Sequence, residues 1–491
     1  MIRHLAAVFS CAASFLAPLA ALATPQQQNA TELWINPAES GWGLYLAHQG
    51  DTLFGTLFVY GPDNQPRWYS ASGLRGNGTY TGELFESHGA GFGQRFDQDD
   101  VFRRPAGSMT VTLHGQSATV TYVIDGVRVT REVVPFAFKA ISLAGRYVGD
   151  VTGGSVVNDA IDFTVTHSGT SFGMTSQGSA SGSCNYNGVS TQTGSKVNVS
   201  GNYSCSNGRS GPFTISDADL TTDGFTARWN DGRIAAVRMG RGNWAWNGWM
   251  SDLWIYSGES GWGFNMIGQG EDNVFGTLFH YDADRKPKWY SMANMIYMGR
   301  GEAADDRGTY IGSITESTGP WFGQPTFDPA LVTRRNVGSI TMRFRTHYQV
   351  DLSIDLNGVH LERGALHPFA FTANNVSGTY VGHVVDGQYA TGAPASAQAV
   401  TITVNDSGAV GSAFAMSTNG PGGNCGYSGF RQQTGQRVQV FGTYSCADGR
   451  NGPFALMDIE VSAYGFTAAL GTQLATAFLT GHMGGVRSGG S

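Results

Sequence analysis

Apolar residues along this chain recur at every second position in short runs, and each run ends at a turn. In the run from Trp42 to Leu46, Trp42, Leu44 and Leu46 fall on one side of an extended chain. In the next run Phe54, Thr56, Phe58 and Tyr60 share a side. Glycine-, proline- and aspartate-containing turns separate the runs, at residues 49–51, 61–64 and 125–126. No stretch sustains the 3.6-residue period of an amphipathic helix. The alternation predicts strands at 33–36, 41–48, 52–60, 66–73, 79–86, 107–114, 117–124 and 127–138.

The same pattern then returns. Glu39-Ser-Gly-Trp-Gly43 reappears as Glu259-Ser-Gly-Trp-Gly263, and Phe54–Phe58 as Phe275–Phe279. Pro66-Arg-Trp-Tyr-Ser70 reappears as Pro287-Lys-Trp-Tyr-Ser291. The offset between copies is 220 residues at Trp42 and Trp262 and 241 at Cys184 and Cys425. Insertions therefore accumulate between strands, where loops tolerate them. A repeat this long is a duplicated pair of domains, not a solenoid unit.

Each copy divides in two. Residues 32–140 and 252–373 are the tryptophan-rich A units, A1 and A2. Residues 143–240 and 376–483 are the Gly/Ser/Thr-rich B units, B1 and B2. B1 opens on Gly145-Arg-Tyr-Val-Gly149, mirrored by Gly378–Gly382, and short alternating runs follow at 161–167, 171–177, 180–187, 196–204, 211–219, 224–229 and 233–239. Many short strands joined by tight turns predict an all-β fold, with each unit an antiparallel eight-stranded barrel or a sandwich. The whole is then two copies of a two-unit block.

Composition agrees. The chain has 491 residues, 12% aromatic and 14% charged, with 70 glycines and no collagen-like period. Disorder needs the opposite balance. A formal net charge of −7 with no basic run leaves no electrostatic footprint for nucleic acid. Beyond the N-terminal segment, no apolar run approaches the roughly 18 residues of a transmembrane helix. The N-terminus reads as a signal peptide over residues 1–23: Arg3 and His4, an apolar stretch from Leu5 to Leu22, and Ala21-Leu22-Ala23 as the cleavage site. Cysteine usage points to the same export. Cys11 falls in the leader, and Cys184, Cys205, Cys425 and Cys446 form two equally spaced pairs. One disulfide per copy follows, each closing a loop of about 20 residues and worth about 3 kcal/mol on the chain-entropy account. Zinc is the rival, but no histidine keeps a fixed offset from both pairs. The connection at 241–251 carries Trp244, Trp246 and Trp249, as packing against the flanking units or as an exposed stacking platform.

The Asn36-Pro-Ala-Glu-Ser-Gly-Trp-Gly43 stretch, with Phe54–Phe58 and Pro66–Tyr69 after it, resembles a repeat of secreted proteobacterial proteins with no established activity. The second copy departs from it by carrying Tyr256-Ser257 in place of Asn36-Pro37. More loosely, Leu33–Asn36 followed by Gly55–Phe58 is similar to the opening of small avidin- or lipocalin-like barrels. That likeness implies a small eight-stranded barrel and carries no ligand residues over.

Duplication filters candidate chemistry, since a shared site keeps its residues in both copies. Glu39/Glu259, Glu86/Glu316, Asp97/Asp328 and the arginine pairs Arg103-Arg104 and Arg334-Arg335 pass. Paired carboxylates suit glycoside hydrolysis. The alternative is that Glu39 holds the turn before Trp42 or pairs with an arginine, while the arginine pairs are solvated or meet Asp97 and Asp328, with anion binding as their alternative role. No histidine passes: His48 meets Gly268 and His167 meets Asp406. A triad or metal centre common to both copies is thereby excluded, and no cofactor motif is present. The aromatics Trp42/Trp262, Trp68/Trp289 and Tyr69/Tyr290 serve either as barrel core or as the wall of a ligand site. Trp68 and Tyr69 must point to opposite faces, so one is core and the other wall. These observations point to an exported, non-enzymatic binding protein for a glycan or small apolar molecule, with ligand contacts at those aromatics and at Glu39 and Glu259. A structural or adhesive module with filled barrels is the second reading, and a paired-glutamate hydrolase the third.

Overall fold

The computed structural model describes residues 29–154, 158–239, 248–270, 272–300, 307–386, 396–409, 411–472 and 481–488. The expected signal peptide lies outside them, as do Trp244 and Trp246 of the connection. The chain forms four closed antiparallel barrels of eight strands each, every one an up-and-down meander whose last strand pairs with its first. Closure leaves no sheet edge exposed, which a sandwich could not achieve.

A1 is built from Glu32–Ile35, Gly43–Gln49, Thr52–Tyr60, Pro66–Asn77, Thr79–His88, Phe102–Leu113, Ala118–Ile124 and Val127–Pro135. The sixth strand begins earlier than the alternation predicts. Pro105 and Gly107 read as breakers, yet a register shift between Leu84 and Phe85 absorbs them. B1 has one strand more than the seven runs counted, because Gly145–Thr152 opens the barrel and pairs with both Asp159–Ser168 and Gly232–Arg238. In B2 the last strand runs from Gly481 to Arg487, beyond the boundary at 483. Its Arg487 guanidinium lies over the Tyr380 ring, as Arg238 lies over Tyr147 in B1.

Each barrel interior is filled. A1 encloses Trp34, Trp42, Leu44, Leu57, Tyr69, Tyr80 and Tyr122 among others, and A2 encloses Trp254, Trp262, Phe264, Tyr290 and Phe344. In B1 and B2 each disulfide joins residues directly opposite on a hairpin: Cys184 to Cys205 and Cys425 to Cys446, with Cα–Cα separations of 4.0 and 3.9 Å. The chain-reversing turns fall between Thr193 and Lys196 and between Thr434 and Arg437.

The second apolar face of the A strands is also buried, against the other A unit. Phe58, Tyr60 and Trp68 of A1 meet Phe279, Tyr281 and Trp289 of A2 in one cluster. The contacts are reciprocal, as in an isologous dimer interface. Trp68 Nε1 donates to the carbonyl of His280 at 3.0 Å, and Trp289 Nε1 to that of Val59 at 3.1 Å. The Gln49 amide clasps the chain leaving A2 at Phe369–Thr372, and Gln269 clasps the chain leaving A1 at Phe136–Lys139. The two A units also exchange stoppers. Phe322 of A2 enters the core of A1 and donates its N–H to Tyr60 O, while Phe92 packs on the A2 core and donates to Tyr281 O, both at 3.1 Å.

B1 and B2 meet side by side through strands Gly232–Arg238 and Gly481–Arg487 and their neighbours. Thr221 bonds Thr467 and Thr226 bonds Ser462, again reciprocally. Asp150 faces its own counterpart position, His383, at 2.9 Å, and Asp223 meets His482 at 2.7 Å. A true homodimer would place two like side chains at such a position. Within one chain the copies are free to diverge into a complementary pair. Of the connection between copies, Trp249 is buried in the A2 core and stacks on His347.

Candidate functional site

With the barrel interiors filled, open space of ligand size lies between barrels. A groove of about 290 Å³ runs along the A1–A2 junction. A1 supplies one wall: Leu33 and Ile35 from its first strand, Phe58 from its third, Phe136 from the departing chain, and the Ser40–Gly43 turn with Trp42. A2 supplies the floor from its outer face. Thr277, Ser291 and Thr315 are cross-strand partners on three adjacent strands, so their hydroxyls form a short row. Phe275, Trp289 and Ala293 flank the row, and Ser317 with its register partner Arg334 closes one end. Arg334 is the charged side chain of this lining. Strand alternation turns it away from Arg335, which pairs with Glu316 at 2.5 Å. Among the described residues Arg334 makes no ion pair.

The eight residues that sequence grouped as ligand contacts are not one site. Trp42 and Trp289 line the groove. Tyr69, Trp262 and Tyr290 are barrel core, and Trp68 is buried in the A1–A2 cluster on Phe279 and Tyr281. Trp68 and Tyr69 do face opposite sides, but the outer side is an interface, so neither is exposed beyond 5%. Glu39 accepts from Trp42 Nε1 at 3.1 Å and from Arg131 Nε at 2.7 Å. Glu259 repeats this with Trp262 and Arg363, at 3.0 and 2.9 Å. Each clamps the turn ahead of its tryptophan, as the alternative to hydrolysis expected. They sit at the mouths of A1 and A2, where the exchanged stoppers Phe322 and Phe92 leave only about 10 and 30 Å³.

The other carboxylates are occupied as well. Glu86 pairs with Arg104, and Glu316 with Lys288 and Arg335. Burial alone would raise the Glu316 carboxyl, but these two cations outweigh it and hold it below its ordinary range. A glycosidase acid needs the opposite shift. Asp97 and Asp328 do not meet the arginine pairs. They cap single 3₁₀ turns by accepting from Asp99 N and Ala330 N.

Leu33, Phe136 and Thr315 line the groove but are not among the candidates that the sequence offers. Arg334 is a candidate as half of a repeated pair, with anion binding as its alternative role, and it lines the groove whereas Arg335 does not. Thr315 carries a signal of another kind, since it aligns with Phe85 and so differs between copies, as Ala293 differs from Ser72. No family model, no curated protein and no solved structure matches this chain.

Proposed function

We propose that this chain is an exported, non-enzymatic protein that binds a small apolar molecule in the groove between A1 and A2. One observation carries the reading: a cavity near the lower end of ligand-site volumes has mostly apolar walls and a short file of hydroxyls. A glycan fits it less well, because a sugar's many hydroxyls would be desolvated against Leu33, Ile35, Phe58, Phe136 and Phe275 without partners. Export is supported by the leader-like start and by two cysteine pairs at bonding distance.

A structural role is the second reading. It is favoured by the filled barrels and by the stoppers that close the A mouths. Titration with an environment-sensitive apolar dye separates the two. Saturable binding that is lost in Ala293→Trp, which fills the groove, supports the ligand reading. Absence of saturable binding to the intact mature chain supports the structural one. Mass spectrometry of the exported protein should find its first residue at Thr24.

A further inference from the structure

Four features of the groove restrict its occupant beyond "apolar". Its volume corresponds to roughly ten water-sized groups. Its walls are mostly apolar. Most of its polar lining is on the A2 side, as the row Thr277, Ser291 and Thr315 with Ser317, while Ser40 lies on the A1 wall. Its end holds a cation, Arg334, that no carboxylate neutralises among the described residues, whereas the adjacent Arg335 is engaged by Glu316. The Arg334 charge also reaches Tyr60, whose hydroxyl bonds the carbonyl of Gly41 in the groove wall. A neutral apolar molecule would leave that cation unused. A guanidinium gives a carboxylate a two-pronged, charge-assisted partner.

We infer that the groove takes a single-chain carboxylate of about ten carbons, a medium-chain fatty acid, with its alkyl chain along Leu33, Ile35, Phe136 and Phe275 and its carboxylate on Arg334. This rests on the ligand-binding reading above and names its ligand class.

Calorimetric titration of the full mature chain tests it with two probes of equal length, decanoate and decanol. Decanoate should bind with one-to-one stoichiometry, at least tenfold more tightly than decanol, and more weakly as salt is raised. Arg334→Gln should reduce decanoate affinity to the level of decanol and leave decanol unchanged. Arg335→Gln, one residue away on the opposite face, should leave both probes unaffected and controls for a general loss of charge. Circular dichroism of each variant confirms that the barrels remain folded. Equal affinity for the two probes, or an Arg334→Gln variant that binds decanoate as well as the parent, overturns the carboxylate assignment while leaving apolar binding intact. Failure of both probes to bind the parent chain overturns the underlying reading as well.

Discussion

The two sides of the A1–A2 junction are built from equivalent positions and end differently. On one side the A2 floor offers Thr277, Ser291 and Thr315 beneath Arg334, which makes no ion pair among the described residues. On the other, the same positions in A1 are Thr56, Ser70, Phe85 and Arg103. There Phe85 stands where Thr315 would be, as the cross-strand partner of Ser70. The Arg103 guanidinium lies 5.9 Å above the Phe85 ring. Thr56 and Ser70 are 1% and 3% exposed, and among the described residues their hydroxyls have no hydrogen-bond partner. In A2, Thr277 is buried as well, but Ser291 and Thr315 are only half-buried. One aromatic ring thus replaces a threonine, covers the hydroxyl row and engages the arginine. Duplication within one chain permits this, because the two halves of the interface can change separately. The lesson is that the groove is a local opening in an otherwise reciprocal contact, not a general property of the fold.

The largest effect that tests this comparison is on stability. Trp68→Ala and Trp289→Ala remove the same ring and the same cross-barrel hydrogen bond from opposite sides. A buried Trp-to-Ala change costs roughly 3–5 kcal/mol. Trp68 borders no open space, whereas Trp289 lines the groove. Denaturant unfolding should therefore show Trp68→Ala as the more damaging of the two. Equal losses would mean that the two sides are packed alike.

The next effect asks whether the copies stay equivalent away from the groove. Glu32 and Asp252 occupy the same place at the two A–B junctions, buried beside Ser195 and Gln436. Burial pushes each carboxyl up to about 7, against the opposing pull of Lys196 on Glu32 and of Arg437 on Asp252. Asp219 adds a smaller upward push on Glu32. The free second oxygen of Glu32 fits a protonated group. A carboxyl raised on folding keeps its proton in the native state while the unfolded chain has lost it. Stability is then greatest below about pH 4 for these groups and falls as pH rises to 7, by on the order of 3 kcal/mol for each. Asp458 acts in the opposite sense. The His347 ion pair and the Tyr348 hydroxyl outweigh burial and hold it down to about 2, so its contribution is lost as pH falls below about 4. Unfolding free energy should peak near pH 4. Glu32→Gln and Asp252→Asn should each remove about half of the decline above it. Loss of the whole slope from one variant alone would break the equivalence.

A somewhat smaller and separable effect belongs to the B units. Replacing Cys184 and Cys205 with serine should lower stability by about 3 kcal/mol and leave ligand affinity unchanged. The disulfide lies in B1 and contributes nothing to the groove lining. A coupled loss of binding would show that the barrels communicate.

Much of this architecture is legible in the sequence. Period-two alternation locates the strands, and repeated Trp68 and Tyr69 show opposite faces. What alternation cannot tell is which face is the interior. Phe58 and Tyr60 are as apolar as a barrel core, and they are buried outside the barrel against the second copy, with Phe54 partly buried beside them. Strands covered on both faces lose the contrast that marks inside from outside. The stoppers Phe92 and Phe322 align with each other, but nothing local says that each crosses to the other barrel. The repeat filter has its own blind side. It selects what both copies keep, which here is packing: Glu39 clamping Trp42, and Glu316 held by Lys288. Thr315 and Phe85, where the copies part, fall through it.

The smallest expected effect in free energy is also the most specific. Thr315→Phe installs in A2 the residue that A1 carries at the same position. The side chain points from the floor into open space, so no core atom must move and stability should change little. The new ring should cover Ser291, approach Arg334 as Phe85 approaches Arg103, and occupy the path of an alkyl chain. Decanoate affinity should then fall at least tenfold, about 1.4 kcal/mol. Phe85→Thr makes the reverse exchange, exposing Thr56 and Ser70 and releasing Arg103. If the two sides differ through this ring, calorimetry on Phe85→Thr should detect a second, weaker site on the chain. If its stoichiometry stays at one, the asymmetry is carried by the backbone of the two junctions, and the single-ring account of the difference is wrong.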